Sequence, residues 1–145
     1  MGLFTSFDIS ASGMTAQRLR SDTISQNLAN IDTTRTADGK PYIRKTVMFQ
    51  EKRSSGFDGI LQTTIGRIGH GVKVTSIVND TSTAMNKVYD PSHPDADENG
   101  YVLYPNVNTV TEMTNLISAS RSYEANVTAF NASKSMATSG LNLGG

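Results

Sequence analysis

Near the amino terminus, apolar residues recur three and four positions apart. Phe7, Met14, Ile24, Leu28 and Ile31 carry the pattern, and Ser10, Gln17 and Ser21 fill its remaining positions. This spacing predicts a helix to about Ile31 with a narrow coiled-coil seam, not the broad stripe of a globular helix. Thr5 and Asp8 are spaced as a capping box, and Phe4 and Ile9 flank it as a hydrophobic staple would. Gly13 costs about 1 kcal/mol in helix propensity and is a candidate bend. Asp32, Thr33 and Thr34 end the segment. The carboxyl end mirrors this arrangement. After Pro105, Thr109 and Glu112 form a start signal, and Met113, Leu116, Ser120, Tyr123, Val127, Phe130, Lys134, Ala137 and Leu141 continue a second seam. Gly140 and the closing LNLGG are expected to stop it. Each helix would be about 40 Å long.

Between residues 32 and 105 the period shifts to two. Ile43, Val47 and Phe49 alternate with Tyr42, Arg44 and Thr46, which predicts a strand whose apolar face is interrupted by Lys45. GVKVTSIVND reads as a second strand and YVLY as a third. The Gly- and Ser-rich stretch 53–71 reads as a loop or extended arm. The expected fold class is therefore α+β, in three parts: an axial helix 1–31, a β-rich region 32–105 with its loop 53–71, and a second axial helix in 106–145.

Two narrow seams bury little. Some five large seam residues per helix contribute ~1.5–3 kcal/mol each when buried. Ordering roughly thirty backbone residues costs ~1–2 kcal/mol each. The helices are therefore expected to gain full order on meeting copies of themselves or relatives. Asn27 and Asn30 interrupt the first helix where Ala would favour it more. Two readings stay open: amides that reject wrong registers at a packed seam, or simple helix termination.

Composition narrows the classes. The 145 residues have zero formal net charge, so no basic face for nucleic acid is expected. With no cysteine there is no disulfide framework, thiolate metal site or Cys nucleophile. No secretory leader and no membrane span are apparent at this level. His70 and His93 stand apart from other metal ligands, no G-x-S-x-G elbow occurs, and GRIGHG lacks the lysine of a phosphate loop. No cofactor is expected, and no enzyme. Asp95, Asp97, Asn99 and Gly100 fall at calcium-loop positions, but the twelfth position is Asn106, not Glu. A polar turn is the competing reading of that segment, and a calcium-binding interaction module the competing function.

The stretch ISQNLANIDTTRT resembles the signature of the bacterial flagellar rod and hook axial proteins. LFTSFDISASGMTAQRLRSD resembles the helix that leads into it. DPSHPDADENGYV followed by SASRSYEANVTAFNASKSM is similar to proximal-rod members in particular. The resemblance covers about three quarters of the chain, 53–71 excepted. It implies a non-enzymatic subunit of the basal-body rod, with terminal helices bundled around a tube and a small β-rich region outside. It implies export through the flagellar type III channel without a cleaved signal. The implied partners are further copies, neighbouring rod proteins, the basal-body adaptor and the surrounding ring and export apparatus. By position, Asn27, Leu28, Ala29, Asn30 and Thr33 would form the family's packing motif. Ser120, Arg121, Tyr123, Glu124, Ala125 and Asn126 would be its carboxyl-terminal counterpart. Arg121 and Glu124 would pair within the helix or with a neighbour.

Overall fold

The structure, a computed structural model, describes residues 3–52 and 69–143. Two long helices, α1 (Leu3–Ala29) and α2 (Thr109–Leu143), flank four strands: β1 (Lys45–Glu51), β2 (Val72–Asn79), β3 (Asn86–Tyr89) and β4 (Tyr101–Tyr104). The architecture is α+β, as expected from the change of period. The proposed arm lies outside the described residues apart from 69–71.

The helices pack against each other, antiparallel. Phe7 meets Phe130 with ring centroids 4.9 Å apart. Gly13 faces Asn126, and Asn27 meets Glu112 at the far end. Gly13 lies within the unbroken α1. It is a point of close approach, since a Cβ there would stand 2.5 Å from Asn126 Oδ1. Small side chains make much of the contact: Ser10, Ala16 and Thr23 on α1, Ala119 and Ser133 on α2. Apolar burial is correspondingly thin. Ala16, Ile24, Tyr42, Val102, Val107 and Ala119 are the buried hydrophobic residues among those described.

Three helix-end expectations are corrected. α1 begins at Leu3, so Thr5 lies within its first turn and does not cap it. α2 is capped by Asn108, whose Oδ1 accepts the Thr111 N–H at 3.0 Å. Thr109 is already helical, and Glu112 is drawn into the interior. Gly140 does not end α2, which runs on to Leu143.

β1 and β2 form one antiparallel ribbon and β3 and β4 another. In the first, Val47 opposes Ile77 and Thr46 opposes Val78. A bulge follows Met48, and its extra residue, Thr75, belongs to β2, so β1 is unbroken. α1 ties the ribbon at both ends. Asn27 holds Lys45, and the Ser12 hydroxyl accepts the Val72 N–H at 3.1 Å. Gly71 fits beside Ser12 with φ of 104°, in the left-handed region, where a side chain would collide with the Ser12 hydroxyl. The strand β3 has too few apolar residues to stand out in the sequence. It forms because its partner YVLY places Val102 in the core, fully buried.

Candidate assembly site

A cluster of polar side chains closes the junction of α1, α2 and β1. Asn27 is at its centre and is 0% exposed. Its Nδ2 donates to the Lys45 carbonyl at 2.9 Å and to Glu112 Oε2 at 3.0 Å. Its Oδ1 accepts from the Lys45 N–H at 2.8 Å and from the Tyr42 hydroxyl at 3.0 Å. All four bonding positions of the carboxamide are used. The amide therefore bonds Lys45 as a neighbouring strand residue would, with one N–H and one C=O each way.

Glu112 is also 0% exposed, and Arg44 Nε donates to its Oε1 at 2.9 Å. Arg44 reaches on to Asp80 Oδ2 at 3.3 Å. Hydrogen bonds and charge from Glu112 and Asp80 hold the guanidinium pKa above its ordinary value, against the opposing effect of burial. Burial, with the Glu112 charge, also raises the Tyr42 phenol. A second asparagine, Asn106, accepts the Arg44 N–H at 2.8 Å and donates to the carbonyls of Asp80 and Thr83. Asp80 accepts from the Ser82 and Thr83 hydroxyls and backbone N–H groups, which hold its carboxyl far below the usual range. Charge is thus buried only where it is paired and hydrogen-bonded.

Asn30 works locally. Its Nδ2 donates to Gln26 O, and its Oδ1 accepts from the Thr33 hydroxyl. Thr33 O in turn accepts the Tyr42 N–H at 3.1 Å. The two asparagines that look alike in sequence therefore differ: Asn30 finishes the helix, while Asn27 holds the middle region onto it. Neither reading of Asn27 made from the sequence included that bond to its own chain.

The other seam residues divide. Ile24 is buried, and Phe7, Met14, Leu28, Ile31, Leu116, Asn126, Val127 and Phe130 are half-buried. Ala29 is exposed. On α2 the expected seam is only partly turned toward α1. Phe130 packs on Phe7 and Leu116 is half-buried, while Met113, Ser120, Tyr123, Lys134 and Leu141 are exposed. Glu112, Ala119 and Ser133, which the apolar spacing passes over, are buried, and Ser122 and Asn126 are half-buried. Arg121 and Glu124 are both exposed and form no ion pair with each other. The Glu124 carboxylate receives a long contact from the Ser120 hydroxyl, at 3.5 Å.

One side of α2 remains apolar and open. Val110, Met113 and Ile117 are 74%, 53% and 57% exposed and lie at helical spacing on the side away from α1. The 95–100 turn has committed its carboxylates elsewhere. Asp95 pairs with Arg35 and accepts from the Thr34 hydroxyl, and Asp97 Oδ1 accepts the N–H groups of Asn99 and Tyr101. No group of three potential metal ligands occurs among the described residues. Among the described helices, none is long and apolar enough to cross a membrane.

Two family models match the chain. Residues 7–35 match "Flagella basal body rod protein", and residues 98–143 match "Flagellar basal body rod FlgEFG protein C-terminal". The chain is 49% identical to the flagellar basal-body rod protein FlgC of Borreliella burgdorferi over 97% of each chain. It is 49% identical to that of Bacillus subtilis and 42% identical to that of Salmonella typhimurium, each over 99% of both chains.

Proposed function

Because the chain belongs to the FlgC family of flagellar basal-body rod proteins, we propose that it is a structural subunit of the rod, in its proximal part. Its role in the basal body is mechanical, not catalytic. Copies and neighbouring rod proteins pack through the outer sides of α1 and α2, and the shaft they build transmits torque. The adaptor and the surrounding ring and export apparatus are its further contacts.

The observation that carries this mode of assembly is the open apolar side of α2. Val110, Met113 and Ile117 lie within two helical turns of each other, too exposed to serve the subunit's own core. Large apolar residues grouped in this way mark a surface that another chain covers. The exposed Arg121 and Glu124, one turn further along, are placed to pair across the same boundary.

Ile117→Asp tests this reading. The side chain is exposed in the subunit, so the variant is expected to fold as the wild type does by circular dichroism. It is expected to abolish rods in cells lacking the native protein. Normal rods containing the variant would place the contact elsewhere.

A further inference from the structure

Each strand ribbon has two edges, and the chain itself ties down two of the four. β2 is held at Val72 by the Ser12 hydroxyl. β4 is held by Asp97, whose N–H donates to Tyr101 O and whose Oδ1 accepts the Tyr101 N–H. Among the described residues the other two edges are open. On β1, Asn27 stands in for a third strand at Lys45 only. Alternation turns the backbone groups of Val47 and Phe49 the same way as those of Lys45. No backbone partner among the described residues meets them. On β3, the bond from Asp90 N–H to Gly100 O fixes the alternation so that Lys87 and Tyr89 face outward. All four β3 residues are exposed.

The β1 edge borders a cleft of about 370 Å³ whose wall includes Arg20, Ile24, Lys45, Val47 and Phe49. Glu112, also in the wall, is already bound by Asn27 and Arg44. Arg20 and Lys45 have no ion-pair partner among the described residues. The β3–β4 ribbon has the opposite character. Residues 86–101 hold one lysine against four carboxylates; Arg35 pairs with Asp95 and Lys87 stands 3.9 Å from Asp97, which leaves Asp90 and Glu98 without a lysine or arginine partner among the described residues.

We propose that the β1 edge and its cleft receive the β3 edge of a second copy, head to tail, extending one sheet across the subunit boundary. The inference rests on the rod-subunit reading and adds a contact outside the helices. The two edges are different surfaces, so the contact does not close on itself. It repeats from copy to copy, as an open helical assembly requires. Asn27 supplies the first rung of the ladder, and the incoming strand continues it along Val47 and Phe49. Asp90 and Glu98 of the ribbon then lie on the side of Arg20 and Lys45.

The chain has no cysteine, so an introduced pair reports only itself. Val47→Cys or Phe49→Cys is combined with Lys87→Cys or Tyr89→Cys, and isolated basal bodies are oxidised. Neighbouring strands bring Cβ atoms to about 4.5–5.5 Å, within reach of a disulfide after small adjustment. At least one double variant is expected to give a ladder of covalent oligomers, and each single variant none of that ladder. Normal basal bodies with no cross-link from any pair would overturn the edge contact and leave the rod reading standing. Absence of the wild-type chain from basal bodies would overturn the rod reading itself. Should the variants fail to assemble, hydrogen exchange on the wild type decides. The Val47 and Phe49 amides are expected to slow by at least about tenfold on assembly, and unchanged exchange there would overturn the proposal.

Discussion

Replacing Asn27 with alanine removes four hydrogen bonds from a site that solvent does not reach. The groups left behind are the N–H and C=O of Lys45, the Tyr42 hydroxyl and Glu112 Oε2. An orphaned buried polar group costs about 1–3 kcal/mol, and more when charged. Water entering the vacated volume recovers part of this. A net loss of roughly 3–5 kcal/mol is expected, a large share of the ~5–15 kcal/mol that stabilises a typical domain. Asn27→Asp is the sharper variant, because it keeps the shape and reverses the chemistry. Its carboxylate would replace the Nδ2 donor that stands 3.0 Å from Glu112 Oε2. Repulsion and burial would raise the carboxyl pKa of the new residue above its unfolded value. Its folded form is then least destabilised at low pH and loses stability as pH rises through the raised pKa. Urea unfolding followed by circular dichroism measures both variants. A loss below about 1 kcal/mol for Asn27→Ala would refute the claim that this amide anchors β1 to the helices.

Other predictions follow from individual contacts. Asp80 has a depressed pKa, caused first by the Ser82 hydroxyl and then by Thr83. Its contribution is complete above the unfolded carboxyl value of about 4 and is lost as pH falls, so Ser82→Ala should flatten the acid limb of a stability-versus-pH curve. Gly13→Val is expected to push the Asn126 amide off the Ser122 carbonyl and loosen the α1–α2 contact there, because even a Cβ meets that amide; a modestly lower melting temperature would register it. Gln17 Oε1 is buried without a hydrogen-bond partner among the described residues, so Gln17→Leu should raise stability by about 1 kcal/mol in the same urea assay.

The helices and the three apolar strand segments were legible in the sequence because each announces itself by period. The inner face of α2 is legible only in part. Hydrophobic spacing marks Leu116 and Phe130, which turn inward, and passes over Glu112, Ala119, Ser122, Asn126 and Ser133. The spacing pairs Glu112 with Thr109 as a helix start signal, but Asn108 caps the helix. The alternation puts Tyr42 and Arg44 opposite the apolar face of a strand, yet both precede β1, with Tyr42 buried and Arg44 half-buried against Glu112. Phe49, on the apolar face of that alternation, is exposed. A thin apolar core explains these errors together: polar side chains with long-range partners do the packing, and no local pattern names a partner eighty-five positions away. The two asparagines were rightly singled out as unusual for a helix, and the partners of Asn27 were found only in three dimensions.

The central claim is that a polar knot fixes a small β-region onto an antiparallel helix pair whose outer side is completed by other subunits. A density map of the intact basal body tests it directly. It should show Asn27 still bonded to Lys45 and Glu112 within one chain, and Val110, Met113 and Ile117 covered by a neighbour. A map with those three side chains facing solvent in the assembled rod would contradict it.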